Sequence, residues 1–138
     1  MTQTRVLLVD DVSSVLSATA ALLRDSFDII GMVTEGRSAL EATLQLEPDL
    51  VVLDISMPGM SGIEVARELK RCPNLDKIKI LFLTVHEDSD ILATCLAAGG
   101  LGYVLKVLMD TDLIPAIEDV LAGRIFISRL SHTPDTPQ

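Results

Sequence analysis

The sequence predicts an α/β domain: a doubly wound, five-stranded parallel sheet interleaved with five helices. Two observations carry that expectation. Short apolar runs and longer stretches of helical periodicity alternate five times along the chain, and repeated strand–helix–strand units close by right-handed crossovers onto a parallel sheet. The central runs are also apolar at consecutive positions, as strands covered on both faces are. A chain of 138 residues holds one such domain with a core that needs no staples, and no second domain is read.

The first strand is residues 5–10 (RVLLVD), which end in acid and are followed at once by Asp11. From Val12 the period becomes helical, with Val12, Val15, Leu16, Thr19, Leu22 and Leu23 on one face. Residues 27–33 (FDIIGMV) read as the second strand, and Gly36 breaks the run. Ser38 and Glu41 have capping-box spacing near the start of a helix carrying Leu40, Thr43 and Leu44, which Pro48 stops. The third strand, Leu50 to Asp54, runs into a Met57-Pro58-Gly59 turn. Ser61 and Glu64 form a second capping box, opening a helix with Ile63, Ala66 and Leu69 inward and Pro73 beyond it.

Residues 78–84 (IKILFLT) form the fourth strand, which ends in a hydroxyl. The helix after it, about 88–98, stops at Gly99-Gly100. Residues 102–106 (GYVLK) are a short fifth strand ending in lysine. The last helix is expected from about Asp112 to Ala122, with Leu113, Ile117, Val120 and Leu121 inward and Gly123 as its stop. Pro115 suits only a first turn, so the regular helix is expected to begin later than Asp112. The domain is expected over residues 1–124, with 125–138 as linker or C-terminal tail, because residues 131–138 (SHTPDTPQ) are polar and rich in proline.

Composition narrows the function. Hydrophobic residues at 49% and charged residues at 22% mark a globular chain. A net charge of −9 argues against this segment binding nucleic acid, since phosphate contacts need a basic face. It suits a divalent cation or a basic partner protein. No apolar run reaches bilayer length and no basic leader precedes one, so the expectation is a cytoplasmic domain with no membrane contact. Cys72 and Cys95 lack metal-ligand spacing and read as reduced thiols.

The chemistry gathers at strand ends. The first, third, fourth and fifth strands finish in Asp10-Asp11, Asp54, Thr84 and Lys106, and a parallel sheet brings all of these to its carboxyl edge. Two unit charges 4 Å apart repel by roughly 4 kcal/mol at an effective dielectric near 20, so packed carboxylates need a cation. Oxygen ligands of this kind suit Mg²⁺, an ion that also neutralises phosphate. Asp54 stands alone before a turn and is the best nucleophile of the three, able to form an aspartyl phosphate. Lys106 supplies a charge and Thr84 a donor for phosphate oxygens. No glycine-rich nucleotide loop is present, so the phosphoryl donor must arrive already activated.

The pair Asp10-Asp11, the stretch from Asp54 to Gly59 with Gly62, Leu83-Thr84, and Gly102 to Lys106 resemble the receiver domain of bacterial two-component response regulators. The resemblance covers about residues 4–123. Leu83 to His86, Gly102-Tyr103 and the ending Gly123 to Ser128 are most similar to receivers of the LuxR/NarL type, which precede a helix-turn-helix DNA-binding domain. The resemblance implies a flavodoxin-like sheet of order 2-1-3-4-5. It implies that Asp54 accepts a phosphoryl group from the phosphohistidine of a sensor kinase or phosphotransfer protein. Asp11, Asp54 and the main-chain carbonyl of Ser56 would hold Mg²⁺ directly, with Asp10 acting through water and Lys106 pairing with the phosphate or with Asp54. Thr84 and Tyr103 would be the switch pair, changing the surface of the fourth helix, fifth strand and fifth helix to control an output, transcription above all. Ser56 and His86 occupy positions that tune dephosphorylation, and a homodimer on phosphorylation is a further implication. Such a domain catalyses only its own phosphorylation and dephosphorylation. Val107 stands where many receivers have proline, so no cis peptide follows from the resemblance.

Each residue also has a plain reading. Alone, Asp10-Asp11 caps a helix, Lys106 is a solvated strand end, Thr84 satisfies a backbone group, Tyr103 packs, and His86 is an exposed loop histidine. The competing functions are a receiver-like interaction module without phosphorylation, a single-domain regulator acting on a partner protein, and a flavin-binding protein of similar topology. Against the last, Asp10-Asp11 would repel a flavin phosphate.

Overall fold

The computed structural model describes residues 3–129. Among them the sheet has strands β1 (Arg5–Val9), β2 (Asp28–Val33), β3 (Leu50–Leu53), β4 (Lys79–Thr84), β5 (Gly102–Leu105) and β6 (Phe126–Ile127). Their order is β2-β1-β3-β4-β5-β6, and every neighbouring pair is parallel. The helices are α1 (Ser13–Leu23), α2 (Gly36–Leu46), α3 (Gly62–Arg71), α4 (Ser89–Ala97) and α5 (Met109–Leu121). Alternating strand residues feed two apolar layers. Leu7 and Val9 pack with Ala39, Val65, Ala66, Leu69 and Cys95 under α2, α3 and α4. Val6 and Leu8 pack with Leu16, Ala20, Leu23, Leu113 and Ile117 under α1 and α5. Helices on both faces explain why the strands read as continuous apolar runs.

The sheet has six strands where five were expected. Ile125, Phe126 and Ile127 favour extended backbone, and β5 without them would be an open edge of unpaired amides and carbonyls. The Phe126 amide donates to Leu101 O at 3.0 Å and the Ser128 amide to Tyr103 O at 2.8 Å. The polar tail expected at residues 131–138 lies outside the described residues.

Two helix starts also differ from expectation. The Ser61–Glu64 capping box forms, with Glu64 N donating to Ser61 Oγ and Ser61 N to Glu64 Oε1. The Ser38–Glu41 box does not, because α2 begins at Gly36 after Glu35 and Ser38 falls inside the helix. Packing at that first turn is close: a Cβ at Gly36 would collide with the main-chain oxygen of Met60. The last helix begins at Met109, before Asp112, since the 3-10 turn Lys106–Leu108 leads straight into it. Pro115 therefore sits inside α5. The carbonyl it leaves without a donor is that of Thr111, at an exposed position where water can serve it.

Register fixes the edge that matters. β1 and β3 pair from Val6↔Leu50 to Val9↔Leu53, so Asp10 and Asp54 leave the sheet side by side. Thr84 pairs with Leu105, which sets Lys106 just past the end of β4.

Candidate functional site

Asp10, Asp11 and Asp54 converge as the register requires: one carboxylate oxygen from each lies within 4.8 Å of the others. Asp10 is 3% exposed and Asp54 5%, whereas Asp11 faces solvent. Asp10 is not the cap of α1, whose N-cap is Val12. Its Oδ1 accepts from the Val12 amide at 2.9 Å, fixing the entry to α1, while Oδ2 turns into the cluster.

Among the described residues, Lys106 supplies the one side-chain cation in this group. Its Nζ lies 2.7 Å from Asp10 Oδ2 and 3.5 Å from Asp54 Oδ1. The lysine was expected to pair with Asp54, yet Asp10 holds the shorter contact. That contact is close but off-line, because Asp10 Oδ2 makes no directed hydrogen bond. We read it as Coulombic. A buried carboxylate oxygen without a directed donor, in a set of three carboxylates, is the donor chemistry that a hard divalent cation fits.

Asp54 sits at a main-chain feature built for it. Its Oδ1 accepts from the Ile55 amide at 2.8 Å. Burial first, and the charge of Asp10 second, push its carboxyl up to about 6, against the opposing pull of Lys106 and the Ile55 amide. Gly62 closes the turn behind it: its amide donates to Ile55 O at 2.8 Å, and any Cβ there would collide with Asp54 O. Gly59 takes φ 81°, which only glycine adopts freely in the Met57-Pro58-Gly59 turn.

The remaining residues meet at His86. Its amide donates to Thr84 Oγ1 at 3.1 Å, its carbonyl accepts from the Tyr103 hydroxyl at 2.6 Å, and its Nε2 lies 2.7 Å from Ser56 Oγ. Thr84 and Tyr103 are both buried, and burial pushes the Tyr103 phenol up to about 12, so it remains a donor at neutral pH. His86 thus links the loop after β3, the end of β4 and the side chain of β5. A cavity of about 300 Å³, lined by Thr84, Val85, Glu87, Leu105, Lys106 and Val107, opens beside it.

A family model, the response regulator receiver domain, matches residues 6–118. The chain belongs to that family. It is 34% identical over 126 residues to the response regulator GacA of Pseudomonas viridiflava, covering 90% of this chain and 58% of that protein. It is 31% identical over 125 residues to the nitrate/nitrite response regulator protein NarL of Escherichia coli, covering 89% and 57%. A LuxR-family two-component response regulator from Aurantimonas superposes with a TM-score of 0.85 at 31% identity, covering 92% of this chain and 91% of that one. The chain spans little more than half the length of the curated relatives it matches.

In this receiver domain, sequence reasoning named all the acids, the lysine and the hydroxyl at the sheet edge. It missed Ser128 and Asp112, whose side chains meet at 2.7 Å beside the end of β5. The apolar triplet Ile125-Phe126-Ile127 after a glycine stop was the signal for the strand that carries Ser128. It missed too that α1 and α5 share one cluster, with the Thr19 hydroxyl 3.9 Å from Met109 Sδ. No helix among the described residues is long and apolar enough to cross a membrane.

Proposed function

We propose that this receiver domain is a phosphoacceptor switch in which Asp54 takes a phosphoryl group from the phosphohistidine of a sensor kinase or phosphotransfer protein. One observation carries the reading: three carboxylates within 4.8 Å of one another, two of them buried, with Lys106 at their edge. One oxygen of Asp54 attacks phosphorus as the nitrogen–phosphorus bond of the donor breaks. Asp11, Asp54 and the Ser56 carbonyl are the residues that would hold Mg²⁺ directly, with Asp10 acting through water. The ion, when bound, supplies positive charge against the carboxylates and the phosphoryl oxygens. Lys106 exchanges Asp10 for a phosphoryl oxygen. Thr84 donates its hydroxyl to another, giving up the His86 amide, and Tyr103 adjusts with it.

Ser56 and His86 govern how water reaches phosphorus, and so the lifetime of the phosphorylated form. The surface of α4, β5 and α5 carries the change to an output, for which transcription is the best candidate because the similar proteins LnrK and LiaR of Bacillus subtilis are named transcriptional regulatory proteins. A phosphorylation-driven homodimer is one route for it. The switching unit runs through residues 1–124, with β6 and Ser128 packed against the edge of β5, and it acts in the cytoplasm.

The test is intact-mass measurement after incubation with acetyl phosphate and Mg²⁺. The expected result is the added mass of one phosphoryl group, absent without Mg²⁺ and absent in Asp54→Asn. An unchanged mass under conditions that label another receiver overturns the reading.

A further inference from the structure

We propose that Ser128 is a positioning residue for Lys106, holding from both ends the short turn that presents the lysine. The inference rests on the phosphoacceptor reading above, in which Lys106 meets the phosphoryl group.

Lys106 has a long task. Its Cα follows the end of β5, and its Nζ must reach across β4 to the acid that leaves β3 and one strand further to the acid that leaves β1. A flexible four-carbon stem delivers its charge to one place only when its base is fixed. The base is the 3-10 turn Lys106–Leu108, between Leu105 of β5 and the start of α5. Ser128 Oγ accepts from the Leu105 amide at 3.2 Å and donates to Asp112 Oδ2 at 2.7 Å. Leu105 lies just before the turn, and Asp112 lies in the first turn of α5 just after it.

One buried hydroxyl, 8% exposed, therefore spans the two flanks of the lysine-bearing turn. The Ser128 amide adds a third tie, to Tyr103 O at 2.8 Å. Without the hydroxyl, the Leu105 amide is a buried donor with no acceptor. Such a group draws the main chain toward water rather than staying unpaired. Lys106 moves with it. The acids on β1 and β3 are not touched by the clamp and keep their places.

The experiment compares the parent chain, Ser128→Ala and Ser128→Thr, labelled with acetyl phosphate at saturating Mg²⁺ and followed by intact mass. Mg²⁺ affinity is measured alongside by calorimetry. Ser128→Ala should label about tenfold more slowly, the scale set by displacing an oriented group by less than 1 Å, while Ser128→Thr stays within about twofold of the parent. Mg²⁺ affinity should not fall in either variant, because the acids on β1 and β3 keep their places and an ammonium drawn away from Asp10 and Asp54 leaves them more negative. Should Ser128→Ala not fold, Asp112→Ala removes the other end of the clamp and should slow labelling about threefold.

Parent-like labelling by the alanine variant that folds overturns the clamp and leaves the phosphoacceptor reading intact. A loss of Mg²⁺ affinity matching the loss of labelling also overturns it, since that is general loosening. A parent chain that does not label overturns the phosphoacceptor reading and the clamp together.

Discussion

The ammonium of Lys106 rests 2.7 Å from Asp10 Oδ2, a shorter approach than its 3.5 Å to Asp54 Oδ1. One cation thus faces three carboxylates, two of them buried. The charge balance at the sheet edge is short by more than one positive charge, and this shortfall organises the behaviour expected of the domain.

Mg²⁺ should stabilise the fold, because it meets three assembled carboxylates in the native state and scattered ones in the unfolded chain. At a hundredfold excess over its dissociation constant the gain is about 2.7 kcal/mol. Thermal melting with and without Mg²⁺ reads this as a higher Tm. Asp11→Asn should lose most of the gain. An equal gain in that variant would remove Asp11 from the ligand set.

The raised carboxyl of Asp54 fixes the sign of a pH effect. Its folded-state value, about 6, lies above its ordinary 3.8, so this group takes up a proton on folding between those values. Its contribution is fully present in acid below the ordinary value and is lost as pH rises through about 6. In chelator, Asp54→Asn should therefore gain stability relative to the parent chain on going from about pH 4 to about pH 8, on the order of 2 kcal/mol. Urea unfolding at the two pH values measures it. A parent–variant difference that does not change with pH would show that burial and Asp10 do not burden the ionised form.

Most of the site could be read from the sequence because its residues sit where apolar runs end. A strand's last residue is fixed by the same pattern that buries the strand, so Asp10, Asp54 and Thr84 were placed as soon as their runs were recognised. Partners within the site were harder. Whether Lys106 meets Asp10 or Asp54 depends on whether its side chain reaches across two intervening strands or one, which no local pattern encodes. The meeting of Thr84, Tyr103 and Ser56 at His86 depends on how one loop folds over the sheet edge. The start of α5 is not legible because Pro115 argues locally for a later one, while the helix begins at Met109. Thr111 lies at an exposed position, where its carbonyl can do without the missing donor, and exposure is a tertiary property. β6 escaped notice because two residues make a strand only when an open edge is waiting beside them.

Tyr103→Phe tests the tie between β5 and the loop after β4. The variant keeps the buried ring and removes one donor, leaving the His86 carbonyl without the 2.6 Å bond. His86 is half-buried, within reach of water, so the cost should be about 1 kcal/mol. The local effect should be larger than the global one. Amide exchange at His86 and its neighbours should speed up while the β1 and β3 amides are unchanged. Uniform acceleration across the sheet would mean that the hydroxyl supports the whole core rather than this loop.

Gly62→Ala tests the turn that holds Asp54. The α-carbon of Gly62 lies against the main chain of Asp54 and Ile55, and its amide donates to Ile55 O at 2.8 Å. A methyl group has nowhere to go, because the atoms it meets are backbone rather than the movable end of a side chain. Either α3 shifts away or the segment after β3 bends. Both alternatives also break the Gly62–Ile55 bond that closes the loop. Overpacking of this kind costs about 1–3 kcal/mol. The same displacement moves the Ile55 amide that holds Asp54 Oδ1 and the Ser56 carbonyl beside it. Mg²⁺ affinity should therefore fall by at least about tenfold even under conditions where the variant is fully folded. Calorimetric titration of the folded variant decides it. Parent-like Mg²⁺ affinity would mean that the loop carrying Asp54 keeps its shape without the close approach of α3.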